Sequence, residues 1–269
     1  MTQDDSAAYA VLDRSEVLRA IFHPRAESAH VSSQTTGEEH LIEVATDTCI
    51  GARFHMCDRL GANILFFHGN GEIAADYDDL APMYTSLGIN FLVVDYRGYG
   101  RSSGYPTVSA MMSDCHALFD YTQKWLQDND YSGPLVVMGR SLGSASALDL
   151  VIDPKKKIDG LIIESGFAFA GPLLRLLGVD TDRIGFNENK GFRNVDKIQR
   201  FSGPTLVIHA EYDHIIPFSD GKALHESSKA PQKQLLKIKD ANHNDIFFRG
   251  MHVYMRAIRD FIQSIAESK

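Results

Sequence analysis

Short, continuously apolar runs alternate along the chain with longer segments whose apolar residues recur at helical spacing. The short runs predict strands, several of them buried on both faces, and the longer segments predict amphipathic helices. The predicted strands span residues 40–45, 50–56, 62–67, 91–94, 135–138, 158–163, 205–209 and 234–238. The predicted helices span residues 72–87, 108–126, 220–228 and 247–265, with a further helix of small residues that ends at Ile152.

Strands that alternate with helices through short connections predict the α/β class. We expect a mostly parallel central sheet of about eight strands flanked by helices, with an antiparallel pair around Asp47-Thr48 at its start. Ligands of such sheets bind beyond the carboxyl ends of the strands. The distinctive loops fall at those ends, at residues 68–71, 95–104, 139–143, 164–167, 211–217 and 240–245.

Two segments depart from this alternation. Residues 1–33 form an N-terminal extension whose apolar positions between Val11 and Phe22 predict a short helix packed on the rest of the chain. Residues 34–269 form the α/β domain, and irregular residues 166–200, which we call the cap segment, predict a small insertion over its ligand site.

Charge and hydropathy limit the possible partners. The 269 residues carry a net charge of −8 with both signs interspersed, so we expect no nucleic-acid partner. No run approaches the ~18 apolar residues of a membrane span. The polar, acidic start Met1–Asp5 is unlike a signal peptide. The sequence carries no signal for an oligomeric state.

The three cysteines, Cys49, Cys57 and Cys115, are an odd number without metal-ligand spacing. Cys57 falls in a predicted strand and Cys115 on the apolar face of a predicted helix, so we predict buried free thiols. Free thiols are typical of a reducing compartment, and we therefore expect a cytoplasmic protein without a bound metal.

The pattern Gly139-x-Ser141-x-Gly143 lies between an apolar strand and the helix of small residues. This is the nucleophile-elbow pattern, in which a sharp turn projects a serine above a sheet. Side chains two positions either side of that serine would collide, which explains both glycines. The start of the following helix favours developing negative charge. We therefore predict Ser141 as the nucleophile.

An activated serine needs a base and an acid that orients the base. Asp213 lies just past one predicted strand, and His243 lies in the loop between the last strand and the last helix. This chain order, serine then acid then histidine, is that of the nucleophile-elbow enzymes. Glu211 is an alternative acid two residues from Asp213. The turn residues Ile216-Pro217 after Asp213 favour Asp213 for this role.

Two backbone N–H groups should bind the oxyanion that develops during acyl transfer. Leu142 follows the nucleophile directly and should supply one of them. Asn70 lies between two glycines in the loop after an early strand and should supply the other. His68, in the same loop, is expected to brace it.

The glycine-rich loop 98–104 has neither the Gly-x-Gly-x-x-Gly spacing nor the lysine of phosphate-binding loops. We therefore expect no nucleotide and no other cofactor. Asp95, Arg97 and Arg101 are expected to tie loops together near the site through ion pairs.

Four motifs in order resemble the α/β-hydrolase superfamily: His68-Gly69-Asn70-Gly71, the loop Asp95–Gly104, Gly139-Arg140-Ser141-Leu142-Gly143 and Asp213-x-x-Ile216-Pro217. Within it, the chain resembles the α/β-hydrolase-domain proteins whose eukaryotic members carry an N-terminal membrane anchor, and Ile21–Arg25 is similar to the segment before their catalytic domain. The resemblance implies the α/β-hydrolase fold with a small cap and hydrolysis of esters or thioesters, including protein deacylation in some relatives. We expect no anchor in this chain.

The same resemblance implies a catalytic triad of Ser141, Asp213 and His243, with Asn70 and Leu142 as oxyanion donors. We expect a serine esterase or thioesterase that acts on a small or medium acyl substrate through an acyl-enzyme. A serine peptidase or amidase, an acyltransferase and a non-catalytic binding protein remain alternatives. Phe167, Phe169 and Leu173 either line an acyl pocket or pack the cap segment onto the sheet.

Overall fold

The fold is organised around one central sheet in the computed structural model, which describes residues 9–28 and 37–267. Its eight strands are β1 (Glu38–Ala45), β2 (Thr48–His55), β3 (Asn63–Phe67), β4 (Asn90–Val94), β5 (Leu135–Arg140), β6 (Gly160–Glu164), β7 (Thr205–Ala210) and β8 (Lys233–Ile238). They lie in the order β1-β2-β4-β3-β5-β6-β7-β8. The predicted eight-stranded sheet is confirmed.

The described helices connect the strands and cover the sheet. They are α1 (Ser15–Ile21), α2 (Ala81–Thr85), α3 (Val108–Asp128), α4 (Gly143–Leu150), α5 (Ala170–Leu176), α6 (Asn194–Ile198), α7 (Phe218–Ser227) and α8 (Ile246–Glu267). Short 3-10 turns occupy Ala74–Tyr77 and Glu188–Lys190. The predicted α/β class, with helices flanking the sheet, is confirmed.

Strands β3 to β8 pair in parallel, whereas β1 with β2 and β2 with β4 pair in antiparallel fashion. Successive side chains of a strand point to opposite faces, so each buried strand contributes to two cores. Leu65 and Val137 pack in the core that contains Leu118 of α3. Their neighbours Ile64 and Val136 pack in the opposite core, with the closing helix α8. Parallel pairing brings the carboxyl ends of β3, β5, β6, β7 and β8 to one edge.

The single helix predicted for residues 72–87 is wrong. The chain forms a 3-10 turn at Ala74–Tyr77 and then the short helix α2. Asp95 Oδ1 accepts a hydrogen bond from the N–H of Ala74 at 2.8 Å, which fixes the first piece. Pro82 stands in the first turn of α2, where its fixed φ and missing N–H favour a new helix start. Both pieces still bury apolar residues at the predicted spacing, including Tyr77 and Tyr84.

The prediction that Cys57 is buried in a strand is also wrong, because β2 ends at His55 and Cys57 is exposed. The N–H of Cys57 donates to Asn90 Oδ1 at 2.8 Å, which turns the chain away from the sheet. Cys115 is buried in α3, as predicted.

The described part of the N-terminal extension packs on the domain. Leu12 and Val17 are fully buried, and α1 begins at Ser15. Asp13 Oδ1 accepts hydrogen bonds from the N–H groups of Val108 and Ser109, at 2.7 and 3.1 Å, and so caps α3. The boundary predicted between residues 33 and 34 lies outside the described residues.

Candidate active site

Ser141 lies in the sharp turn between β5 and α4, with a φ of +50°. Positive φ is uncommon and strained for a residue with a side chain. A Cβ on Gly139 would stand 2.3 Å from the carbonyl oxygen of Gly143, and a Cβ on Gly143 would stand 2.1 Å from that of Phe67. Both glycines are therefore required by close approach of backbone, as the sequence pattern indicates.

His243 connects Ser141 with Asp213. Its Nε2 lies 3.1 Å from Ser141 Oγ, and its Nδ1 lies 2.7 Å from Asp213 Oδ2. The three side chains come from loops after β5, β7 and β8 at the same edge of the sheet. The structure thus brings together the three residues that the sequence selects, in the geometry of a base between a nucleophile and an orienting acid.

The surroundings of Asp213 keep it ionised. Burial acts to raise the pKa of Asp213, but the hydrogen bond and charge of His243 and two backbone N–H donors outweigh burial and place the pKa below its usual value. Those donors are Ile215 and Ile216, at 3.0 and 2.8 Å from Oδ1. An ionised Asp213 can hold the Nδ1 proton of His243 and stabilise the imidazolium.

The rival acid and a second histidine have other partners. Glu211 pairs with Lys237 at 2.7 Å and accepts from the N–H of Asp240. His209 is fully buried, and its Nε2 lies 2.8 Å from the carbonyl oxygen of Ile216. Burial lowers the pKa of His209, so its neutral ring donates to that carbonyl and braces the turn that carries Asp213.

The loop after β3 holds the second predicted oxyanion donor. Within the described residues, the backbone N–H groups of Asn70 and Leu142 have no hydrogen-bond acceptor, so both are available to an oxyanion. His68 is fully buried, with Nδ1 2.8 Å from the carbonyl oxygen of Gly69 and Nε2 3.2 Å from Asp95 Oδ1. It braces the loop in the manner that the sequence suggests.

Arg140, directly before the nucleophile, carries an ion-pair network that the sequence analysis missed. Its Nε donates to Glu72 at 2.8 Å and its Nη1 to Glu164 at 2.7 Å. Glu72 Oε2 also accepts from the N–H of Gly69 and the hydroxyl of Tyr77, both at 2.7 Å. A charged residue at the end of a strand buried on both faces must be paired, and this was the signal available in the sequence.

The guanidinium of Arg140 determines the charge state of Glu72. Burial acts to raise the pKa of Glu72, but Arg140 and the Tyr77 hydroxyl lower it to about 2. On the other carboxylate, Glu164 Oε2 accepts from the hydroxyl of Tyr254 at 2.6 Å. The guanidinium of Arg140 and the hydroxyls of Tyr77 and Tyr254 therefore all donate to carboxylates next to the turn that carries Ser141. These hydrogen bonds hold the loops after β3 and β5 together.

A cavity of about 250 Å³ opens beside Ser141 and His243. Phe167 and Leu173 of the cap segment line it, together with Leu174, Leu177 and Phe192. Phe169 is 44% exposed and is not among the lining residues, so the structure does not bring it to the site.

Residues of the N-terminal extension also line this cavity. Ile21 and His23 belong to its wall, although the sequence predicted only packing for Ile21 and assigned no role to His23. Their partners lie far along the chain, so no local motif could have indicated the contact.

The loop residues Arg97 and Arg101, expected to be structural, both form ion pairs with other elements of the domain. Arg97 makes two hydrogen bonds of 2.7 Å with Asp114 of α3. Arg101 pairs with Glu39 of β1. These pairs tie the 95–104 loop to the domain and carry no reactive group to the cavity.

One cluster in the described residues has metal-ligand residue types. Ligand atoms of Cys115, His116 and Asp149 lie within 4.8 Å of one another, beside a second cavity. Asp149 already accepts from His116 at 3.0 Å and pairs with Lys197 at 2.6 Å. Burial raises the pKa of the Cys115 thiol, so that sulfur stays protonated and donates to the carbonyl oxygen of Met112. The donor set is consistent with an ion-pair network rather than a metal.

Comparison with known proteins identifies the family to which the chain belongs. The family model described as serine aminopeptidase, S33, matches residues 59–177. The α/β-hydrolase domain-containing protein WAV2 of Arabidopsis thaliana is 30% identical over 224 residues, which cover 78% of this chain and 72% of WAV2. The chain belongs to the α/β-hydrolase superfamily. It is related to the α/β-hydrolase domain-containing proteins.

Two further relatives are similar over part of their length. Human α/β-hydrolase domain-containing protein 17B is 29% identical over 213 residues, covering 74% of this hydrolase and 65% of the human protein. The lysophosphatidylserine lipase ABHD12 of Xenopus tropicalis is 32% identical over 225 residues, covering 74% of this hydrolase and 57% of the lipase. The hydrolase thus matches less than two thirds of each of these relatives.

Solved structures share the fold at lower identity. The Pyrococcus furiosus esterase Pf2001 superposes with a TM-score of 0.71 at 17% identity, covering 90% of this hydrolase and 98% of the esterase. The monoacylglycerol lipase of Paleococcus ferrophilus gives a TM-score of 0.60 at 17% identity, covering 80% and 99% of the two chains. In the hydrolase, no helix within residues 9–28 and 37–267 combines the length and apolar character that crossing a bilayer requires.

Proposed function

We propose that this hydrolase cleaves esters or thioesters of small or medium acyl groups, with Ser141 as nucleophile. The observation that carries the proposal is the continuous hydrogen-bonded path from Ser141 Oγ through His243 to Asp213, at 3.1 and 2.7 Å. It lies beside an apolar cavity of about 250 Å³. Acyl hydrolysis needs only a nucleophile, a base and oxyanion donors, and the site supplies each of them.

In the proposed reaction, Ser141 Oγ attacks the acyl carbonyl carbon and His243 Nε2 takes the serine proton. The N–H groups of Asn70 and Leu142 donate to the oxyanion of the tetrahedral intermediate. Collapse of the intermediate breaks the ester or thioester bond, and the leaving alkoxide or thiolate takes the proton from His243. A water molecule then gives a proton to His243 and attacks the carbonyl carbon of the acyl-enzyme. As the acyl–Ser141 bond breaks, Ser141 Oγ takes that proton back from His243, which releases the acid and restores the site.

The cap segment, residues 166–200, is proposed to select the acyl group. Phe167 is buried in the cavity wall, and Leu173 of α5 faces the same space. An apolar wall with few polar groups suits an acyl chain. Phe169 has no part in this proposal.

Labelling with a fluorophosphonate probe tests the nucleophile directly. We expect one adduct, located on Ser141 by mass spectrometry, and hydrolysis of short p-nitrophenyl esters. Ser141→Ala should keep the far-UV circular dichroism spectrum and lose both labelling and turnover. Ser132→Ala, at an exposed serine, is the matched control and should retain both. Turnover that persists in Ser141→Ala would remove Ser141 from the nucleophile role.

A peptidase is the second candidate, because the matching family model is described as a serine aminopeptidase. An aminopeptidase needs an anionic group for the substrate amine. Among the residues that line the cavity, Glu72 is the acidic one, and its carboxylate is already paired with Arg140. This pairing favours esters. A panel of p-nitrophenyl esters, acyl thioesters, a lysophospholipid and aminoacyl p-nitroanilides separates the candidates by kcat/KM.

A reducing, cytoplasmic location is also a proposal. All three cysteines are free thiols in the described fold. Mass spectrometry after alkylation under native conditions should find unmodified thiols at Cys49 and Cys57 that react, since these two are accessible.

A further inference from the structure

The segment that follows α1 lies against the loop after β3. The backbone N–H of His23 donates to Asn70 Oδ1 at 2.8 Å, and the hydroxyl of Tyr99 donates to the same oxygen at 2.7 Å. Asn70 Nδ2 lies 2.7 Å from Nδ1 of the His23 ring. The side chain of the proposed oxyanion donor is thus held by a residue 47 positions away.

These contacts fix the Asn70 amide in one orientation. Its oxygen has two lone pairs, and both accept a donor. Its nitrogen has only donors to offer, so the facing Nδ1 of His23 must be an unprotonated acceptor. Rotating the amide by 180° would set its NH2 group against the backbone N–H of His23, which can only donate. The side chain is therefore an anchor for its own backbone rather than a free group in the cavity.

The segment that provides this anchor is itself held on several sides. Arg25 Nε donates to the carbonyl oxygen of Gly71 at 2.8 Å, and the same guanidinium pairs with Asp76. Gly100 N–H donates to the carbonyl oxygen of Arg25 at 2.9 Å, and Glu27 N–H donates to that of Gly100 at 3.1 Å. Because these contacts hold the segment in place, His23 can in turn fix the position of the Asn70 side chain.

Resting on the proposed acyl-transfer function, we propose that His23 is a positioning residue that acts through Asn70 to aim the backbone N–H of that residue at the oxyanion. Oxyanion stabilisation depends on donors that are already oriented before charge develops. Asn70 sits between two glycines, and Gly71 has a φ of +77°, so the backbone at Asn70 itself can rotate between its braced neighbours. The His23 and Tyr99 contacts restrict that rotation through the Asn70 side chain.

Substitutions at His23 distinguish the effect of the acceptor nitrogen Nδ1 on kcat from the effect of the shape of the ring. His23→Phe keeps a ring and removes the acceptor, whereas His23→Asn can place an amide oxygen near the position of Nδ1. Loss of a whole oxyanion donor lowers kcat about 10²–10³-fold, and a misaligned donor should cost less, about 5- to 100-fold. We expect this decrease for His23→Phe with p-nitrophenyl acetate, with KM changed less than about twofold. His23→Asn should recover most of kcat.

Two further variants test the route through Asn70. Asn70→Ala keeps the backbone N–H and removes the anchor, so it should lower kcat about as much as His23→Phe. Tyr99→Phe removes the second donor to the same amide oxygen. Because both contacts act on one side chain, the effects of His23→Phe and Tyr99→Phe on kcat should be non-additive. Strict additivity would overturn the shared route. If His23→Phe fails to fold, His23→Ala removes the same acceptor and takes its place in this comparison.

Glu16→Gln is the matched control within the same N-terminal segment. Glu16 pairs with Arg183 of the cap segment at 3.0 Å and does not touch the loop after β3. The Glu16→Gln variant should leave kcat unchanged. Its melting temperature measures how much stability is lost when the N-terminal segment is less firmly attached but the contacts of His23 are intact. If Glu16→Gln and His23→Phe lower kcat equally, His23 has only an attachment role.

Fluorophosphonate labelling distinguishes failure of this inference from failure of the proposed function. Wild type without a Ser141 adduct would contradict the proposed function itself. Wild type that is labelled, together with His23→Phe that reacts at the same rate and keeps kcat, would contradict only the positioning role. A raised KM with unchanged kcat would make His23 a substrate contact and would also overturn the inference.

Discussion

Arg140 Nη2 donates a hydrogen bond to the backbone carbonyl oxygen of His243 at 3.1 Å, across 103 positions of the chain. The same guanidinium binds Glu72, whose other oxygen holds the N–H of Gly69. One buried cation thus contacts the loop of His243 and the carboxylate that fixes the loop of Asn70, while its neighbour in sequence is Ser141, the proposed nucleophile.

Removing Arg140 should therefore weaken both fold and activity. Arg140→Met leaves Glu72 and Glu164 buried without their cation, and breaking a buried pair in this way costs about 3–5 kcal/mol. Urea unfolding followed by circular dichroism measures the loss. Because the His243 carbonyl also loses its donor, kcat of the remaining folded enzyme should fall as well.

Lys124→Met is the control for the Arg140 substitution. Lys124 forms an exposed pair with Asp128 on α3 at 2.6 Å, and such pairs contribute about 0–1 kcal/mol. An Arg140→Met variant that lost no more stability than this control would show that Gly69, Tyr77 and Tyr254 satisfy the two carboxylates without the cation.

His55 should make the fold sensitive to mild acid. It is 1% exposed, and neither ring nitrogen has a hydrogen-bond partner in the described residues, although Asp78 Oδ1 lies 3.5 Å from Nε2. Burial, with a smaller effect from the charge of Arg53, lowers its pKa from 6.5 to about 4. Between these values the unfolded chain binds more protons, so stability is fully present above pH 6.5 and is lost as the pH falls towards 4.

The shift of His55 corresponds to a loss of about 3 kcal/mol between pH 7 and pH 4. His55→Leu should remove this part of the pH dependence, measured as urea unfolding free energies at both pH values. His252→Leu, at an exposed position of α8, should retain the wild-type difference. Equal pH dependence in wild type and His55→Leu would contradict the assignment.

Leu173 should set the limit on acyl-chain length. Leu173→Phe adds bulk to a cavity of about 250 Å³ beside Ser141, so longer chains should be excluded first. We expect the ratio of kcat/KM for p-nitrophenyl octanoate to that for the acetate to fall about tenfold or more, because pocket contacts of one or two methylenes have this effect.

Phe169→Leu serves as the comparison for Leu173→Phe. Phe169 is in the same helix-start region but lies outside the cavity lining, so the ratio of kcat/KM values should stay at its wild-type value. A change of preference in Phe169→Leu and none in Leu173→Phe would favour the sequence expectation for Phe169 over the cavity that the structure shows.

Gly143→Ala should be more damaging than alanine at an ordinary left-handed glycine. Its Cβ would meet the backbone oxygen of Phe67 at 2.1 Å, and backbone atoms cannot move aside without disturbing β3. We expect a loss of at least about 3 kcal/mol, at the upper end of overpacking effects. Unfolding free energy and fluorophosphonate labelling should both report it.

The reference for that substitution is Gly178→Ala. Gly178 has a φ of +83°, and no atom of the described residues lies within 4 Å of the place that an alanine methyl group would take. Alanine there meets only backbone strain, about 1–2 kcal/mol. Similar losses at both positions would mean that β3 yields to the added methyl group at little cost, and would contradict the requirement for glycine at 143.

The sheet and the chain order of the reactive loops could be predicted because both depend on local patterns. Apolar runs predict buried strands, and parallel strands bring their carboxyl ends together. The predicted helix over 72–87 failed because helical spacing of Tyr77 and Tyr84 is also satisfied by two short pieces. Asp95, far along the chain, and Pro82 decide between the two arrangements.

The contacts of the N-terminal extension could not be predicted from the sequence, for a different reason. The hydrogen bonds of His23 join it to residues 47 and 76 positions away, and no spacing rule connects such partners. The sequence alone could assign His23 to a segment that packs on the domain. Only the folded arrangement places that segment beside Asn70.

The distribution of the reactive loops along the chain has a consequence during protein synthesis. Ser141 and His243 are separated by 102 positions, and the base comes from the loop after the last strand of the sheet. A nascent chain on the ribosome can form the turn at Ser141 well before His243 has been synthesised. Under the proposed mechanism, the serine hydroxyl has no base until β8 and the loop beyond it have emerged and docked, so the incomplete chain should not react with acyl groups.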